Sequence, residues 1–112
     1  MLAHMMYPST VIRYAGTFEF PDRDLLEQAL VRVRSKIDEE QELAALGGGW
    51  MRCFVMRDRA VTVNLALPAL QRNRDAAAEI FAALAIDALE GNVTATIGGF
   101  AVEWYSVAPW RS

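Results

Sequence analysis

Lysine, histidine and cysteine each occur only once in this 112-residue chain, as Lys36, His4 and Cys53. Each scarcity closes off a class of chemistry. A lone cysteine makes no intrachain disulfide, so its presence does not indicate a redox compartment. One thiol and one imidazole cannot surround a zinc ion, and neither a metal nor any other cofactor is expected. Cys53 would need a basic partner to act as a nucleophile. His4, the one candidate, falls in an N-terminal stretch expected to be flexible. Cys53 therefore reads as a buried structural thiol, and a Ser/His/Asp triad fails for want of a placed histidine. Paired-carboxylate hydrolysis needs two acids converging in a cleft. Glu19, Asp58 and Glu103 have no evident mate, and the run Asp38, Glu39, Glu40 and Glu42 reads as a solvated helix face. No catalytic residue is assigned.

Long apolar runs are also missing. Nothing approaches the ~18 uninterrupted apolar residues of a membrane-spanning helix. Met1 to Pro8 lacks the basic start and apolar stretch of a signal peptide, so a cytoplasmic location is expected. Basic charge is short as well, with a net charge of −3. Phosphate neutralisation supplies most nucleic-acid affinity, so nucleic acid is not the expected partner. The ten arginines against one lysine read as the codon usage of a GC-rich genome.

Apolar residues, in contrast, are plentiful. Counted with glycine and without tyrosine they reach ~57 % of the chain, against a norm of ~45–50 %. That excess fits one domain with a good core and a further surface buried against a partner. The expectation is a single α+β domain over 1–112, with 1–9 and 108–112 as flexible tails.

Periodicity predicts the elements. Ile12, Tyr14, Phe18 and Phe20 alternate with Val11, Arg13, Thr17 and Glu19, which predicts a half-buried strand over Thr10 to Phe20. Asp22 is suited to cap a helix running to about Leu43, with Leu25, Ala29, Val33 and Ile37 as its stripe, widened by Leu26 and Leu30. Gly47-Gly48-Gly49 ends it. Two strands follow, Trp50 to Arg57 and Ala60 to Leu67, the second stopped by Pro68. A loop over Gln71 to Arg74 leads to a helix from Asp75 to Glu90, with Ile80, Phe81, Leu84 and Ala88 inward and Gly91 just beyond its end. Asn92 to Ile97 and Phe100 to Val107 form a hairpin about Gly98-Gly99. On this reading the first glycine run leads into a strand and the second sits in a hairpin turn, whereas the glycines of a phosphate-binding loop lead into a helix.

The order β-α-β-β-α-β-β matches a ferredoxin-like β-α-β-β-α-β sandwich with an extra C-terminal strand: an antiparallel sheet with two helices on one face. The helices are expected to cover Ile12, Tyr14, Met51, Val55, Val63, Leu65, Val93 and Ile97. The open face then carries Val11, Arg13, Arg52, Phe54 and Met56 among threonines and Asn64, with Glu103 and Tyr105 joining from the last strand.

That mixed apolar, aromatic and arginine content suggests a protein interface. The expected function is a non-catalytic interaction or regulatory module that self-associates, most simply as a homodimer, or docks on another protein. Its interface residues would be Val11, Arg13, Arg52, Phe54, Met56 and Tyr105. One alternative is a small-ligand protein or enzyme of the dimeric α+β barrel type, using Arg13, Arg52, Asn64 and Tyr105. A second is a single-stranded RNA platform built on Arg13, Arg52, Phe54 and Tyr105.

Overall fold

The structure is a computed structural model that describes residues 10–39 and 49–107. The expected tails, the helix beyond Glu39 and Gly47-Gly48 lie outside the described residues, as does His4. The element order is β1 (Val11–Glu19), α1 (Arg23–Glu39), a single helical turn α2 (Trp50–Cys53), β2 (Phe54–Arg57), β3 (Ala60–Pro68), α3 (Gln71–Ala85), β4 (Glu90–Ile97) and β5 (Phe100–Val107). The strands form one sheet in the order β2-β3-β1-β4-β5, antiparallel at every pairing. The chain is thus α+β, as its patterning implies. The fifth strand makes the order different from a strict four-stranded sandwich.

β1 lies in the middle because only a strand with one wholly apolar parity can be paired on both edges and covered above. Ile12, Tyr14 and Phe18 are buried, as are Val61, Val63, Leu65, Val93 and Ala95 on the same side of the flanking strands. α1 lays Leu26, Ala29, Leu30, Val33 and Ile37 on this face, and α3 adds Ala76, Ala77, Ile80, Phe81 and Leu84. Each large side chain so buried contributes roughly 1.5–3 kcal/mol. The opposite parity faces outward along β1, β3 and β4.

Asp22 caps α1 as expected, its carboxylate accepting from the Leu25 amide at 2.9 Å. The β4–β5 turn also follows the sequence: Gly98 and Gly99 both take positive φ, at 60° and 86°.

Four expectations need correction. Trp50–Cys53 is helical, so the strand is shortened to Phe54–Arg57. α3 begins at Gln71, not Asp75: the Asn73 and Arg74 amides both donate to the Leu70 carbonyl, and the Asn73 side chain donates to the Pro68 carbonyl at 2.9 Å. The polar run Gln71 to Arg74 is the first turn of the helix, not a loop. α3 stops at Ala85, where a turn bonds Ala88 back to the Ala85 carbonyl. Gly91 is consequently a β4 residue, not a helix terminator, and the ring of Phe18 occupies the space its Cβ would take.

Gly16 has the tighter constraint. A Cβ there would stand 1.9 Å from the Asn92 carbonyl oxygen and 2.6 Å from the Val93 Cα, both backbone atoms. β1 and β4 must separate to admit any side chain. Gly16→Ala should therefore destabilise by at least about 2 kcal/mol, the scale of overpacking in a rigid core. Urea unfolding checks this, and a wild-type midpoint in the variant would refute the close approach.

Candidate functional site

Two regions could carry function: a polar cluster under the edge of the helix layer, and the open face of the sheet. The cluster arises from register. Between Ala95 and Thr96 the β4–β5 pairing shifts by one residue, so Thr96 faces Ala101 while Ala95 faces Glu103. A simple two-residue hairpin would oppose Ala95 to Val102 and send Glu103 and Tyr105 to the open face. The bulge reverses that. Glu103, Tyr105 and Val107 join the helix-covered side, while Trp104 and Ser106 turn outward.

On the covered side Glu103 lies in one cross-strand row with Tyr14, across the small residue Ala95. Arg74, in the first turn of α3, donates to Glu103 Oε2 through Nε at 2.8 Å and also through Nη2. Tyr105 donates its hydroxyl to Glu103 Oε1 at 2.6 Å. Phe81 sits between the two tyrosine rings, with centroids 5.2 Å from Tyr14 and 5.1 Å from Tyr105. Tyr14 Oη and Asn73 Oδ1 are buried with no protein partner.

The electrostatics define what this cluster can do. Burial pushes the Tyr14 phenol up to about 12, with the Glu103 charge adding to the shift and Arg74 opposing it. Burial and the bond to Glu103 hold Tyr105 well above its ordinary value. Burial alone would raise Glu103, but the bonds from Tyr105 and Arg74 outweigh it and leave the carboxylate below its usual range. The Arg74 guanidinium is raised, chiefly by its bond to Glu103. No member of the group is poised to exchange a proton near neutral pH. The arrangement is a clamp: the Arg74–Glu103 ion pair pins the edge strand β5 to the start of α3, and the Tyr105 hydroxyl holds the Glu103 carboxylate in place. Burial also raises the Cys53 thiol, the opposite of nucleophile activation. Among the described residues no cluster of His, Cys, Asp or Glu could hold a metal ion.

The expected interface residues divide between surfaces. Val11 and Arg13 stand on the open face. Phe54 is 3 % exposed and pairs with buried Val63, so it belongs to the core. Met56 shares its side, opposite Val61. Val55 takes their place on the open side, 54 % exposed and opposite Thr62. The reversal follows from α2: read as strand, Trp50–Cys53 gives β2 the wrong starting parity. Arg52 is exposed on that helical turn, not on the sheet. Tyr105 is on the covered side. Arg13, Arg52, Asn64 and Tyr105 therefore do not converge on one pocket, and Arg13, Arg52, Phe54 and Tyr105 do not make one stacking platform. A depression of about 600 Å³ lies at one end of the sheet between Thr17, Glu19, Glu90, Asn92 and Ser106 and contains none of those residues.

Sequence reasoning missed Arg74 and Asn73 by assigning them to a loop, and Trp104 was not among its candidates. Trp104 stands on the open face opposite Thr94, 69 % exposed, in a row that continues through Ala15 and Asn64. Phe100, at the tip of the hairpin, is 77 % exposed. These are the largest apolar groups that the described surface leaves in water.

The cluster generates a contrast between its two phenols. Tyr105→Phe removes a hydrogen bond to a charged acceptor and should destabilise by about 1–2 kcal/mol. Tyr14→Phe removes a buried hydroxyl that has no partner and should be neutral or stabilise by up to about 1 kcal/mol. Urea unfolding at pH 7 separates the two outcomes, and equal losses would contradict the assigned geometry. The pH dependence follows from the same shifts. Both phenols are raised by folding, so their contribution is full below the unfolded value near 10 and falls as pH rises towards 12. Glu103 is lowered, so its contribution is present above the unfolded carboxylate value and lost as pH falls through the folded one. Glu103→Gln should flatten the acid limb of a stability–pH curve and shrink the alkaline limb without abolishing it, because burial, the largest cause of both phenol shifts, remains.

No family model, curated protein or solved structure matches the chain, so any functional reading rests on the residues themselves.

Proposed function

We propose that the protein is a non-catalytic interaction module whose open sheet face, anchored by Trp104, docks on a protein surface, in the simplest case a second copy of the chain. The observation that carries this reading is the exposure of Trp104 beside a floor of small side chains. Ala15, Ala66 and Ala101 lie on that face with Thr17, Thr62, Thr94 and Thr96. A flat floor with one large aromatic projection suits the anchor-and-pocket arrangement of interface hot spots. Val55 and Val11 extend the apolar content, and Arg13 supplies a charge on the central strand. β5 adds to the attraction as an eight-residue edge strand without lysine or proline. The proton chemistry also favours binding over catalysis, since the buried polar cluster around Glu103 is locked.

On the finer question of fold we infer a ferredoxin-like core made of β1 to β4 with α1 and α3. The order of those four strands and the antiparallel pairing support this. β5 is then an appended edge strand that carries the docking residues.

Sedimentation equilibrium over a concentration series tests the function. The wild-type chain should self-associate, and Trp104→Ser should weaken that association about thirtyfold, the loss typical of one interface tryptophan. Val55→Ser should act in the same direction with a smaller effect. A wild-type association constant in both variants would remove the sheet face from consideration.

A further inference from the structure

The outer side of the helix layer carries a second apolar feature, on the opposite side of the molecule from Trp104. A groove of about 530 Å³ runs between α1 and α3, floored by Val31, Ser35, Ala82 and Ile86. Val31 is 70 % and Ile86 65 % exposed. Surface positions on amphipathic helices ordinarily hold polar groups. Ser35 and Ala82 are small enough for another backbone to approach closely.

The rims of the groove carry opposite charge. On the α1 side stand Arg32 and Lys36; on the α3 side stand Glu79 and, just beyond the helix, Asp87. Arg32 pairs with Asp87 at 3.1 Å and Lys36 with Glu79 at 3.3 Å. Arg32 also donates to the Ala83 carbonyl. As α1 advances from 32 to 36, its partners retreat from 87 to 79, so the helices are antiparallel and each pair marks one height along the groove.

This charge pattern selects both the occupant and its orientation. A second copy laid groove to groove must be related by a two-fold axis lying in the contact plane. If the axis ran across the helices, α1 would lie on α1 of the other copy, bringing Arg32 and Lys36 against their own kind. If it runs parallel to the helices, α1 lies on α3 of the other copy and heights are preserved. Each cation then faces two carboxylates, its own and the second copy's, and Val31 and Ile86 of both copies are covered together.

We propose that the α1–α3 groove is a self-association surface, closed by the same groove of a second copy about a two-fold axis parallel to the helices. It is independent of the sheet-face reading. With both contacts present the chain assembles beyond a dimer, and with either one alone it stops at a dimer.

The test uses single charge reversals at the outer pair, in the full chain carrying Trp104→Ser so that the sheet-face contact is already weakened. Lys36 and Glu79 are both well exposed, and circular dichroism with thermal melting would verify that each variant is folded. With the groove unaltered, sedimentation should show a dimer that weakens as salt rises from ~0.05 to ~0.5 M, since the rim charges are exposed and screened. K36E alone and E79K alone should each associate about tenfold more weakly, because two attractive contacts per dimer become repulsive. An equimolar mixture of K36E and E79K should recover the parental affinity. In the mixed dimer the carboxylate introduced by K36E faces the ammonium introduced by E79K, and the unaltered Glu79 faces the unaltered Lys36. Val31→Ser, which changes no charge, should also weaken the dimer. The proposal is overturned if the Trp104→Ser chain is monomeric throughout. It is equally overturned if both reversals dimerise like the parent, or if the mixture is no tighter than its components. Loss of association on Trp104→Ser alone would instead leave only the sheet-face contact standing.

Discussion

Burial of one face of β1 is the constraint from which the other elements take their positions. Ile12, Tyr14 and Phe18 leave no exposed surface, which requires strands on both sides and helices above. Gly16 lets β4 approach so closely that a methyl group would meet its backbone. The same parity, continued through β3 and β4, determines which residues the helices cover. The opposite parity is then alanine, threonine and asparagine over most of the sheet, a surface that neither repels nor strongly attracts. That neutrality breaks down most sharply at β5.

There a one-residue irregularity has a large effect. The bulge between β4 and β5 exchanges the two faces of the edge strand for half its length. An acid and a tyrosine turn inward, where Arg74 and Phe81 receive them, and a tryptophan turns out. An inward-pointing charge is one of the ways in which natural sheets restrain an edge. Here it is secured by an ion pair to the neighbouring helix, so the edge strand is anchored while its outer face stays apolar. The clamp and the exposed aromatic are two results of one shift in register.

Much of the fold was legible from alternation and turn chemistry. The period-2 pattern of β1, β3 and β4, the Asp22 cap and the Gly98-Gly99 turn each have a local cause that composition reveals. What was not legible depended on counting from a wrong origin. Trp50 to Arg57 alternates well enough to pass for a strand, yet its first half is helical, and the parity of Phe54, Val55 and Met56 flipped as a result. Gln71 to Arg74 looks like a loop because its residues are polar, but the Leu70 and Pro68 carbonyls take up their donors and start the helix there. The candidate site suffered most. Placing Glu103, Trp104 and Tyr105 requires the bulge, and no residue in β4 or β5 announces it. The charge pattern across the helix groove was hidden for a different reason. Lys36 and Glu79 are far apart in the chain and become neighbours only when the helices pack.

The placement of β1 also bears on how the chain is made. Gly16 pairs with Val63 on one side and Val93 on the other, so the earliest strand receives both its partners from much later sequence. The two hairpins can close quickly by themselves, whereas the central ladder must wait for long loops to close. During synthesis the apolar parity of β1 would emerge from the ribosome with α1 as its only cover, until most of the chain had followed. Such a sequence depends on the first helix as a temporary shield, and on the chaperones that bind bare strands when that shield slips.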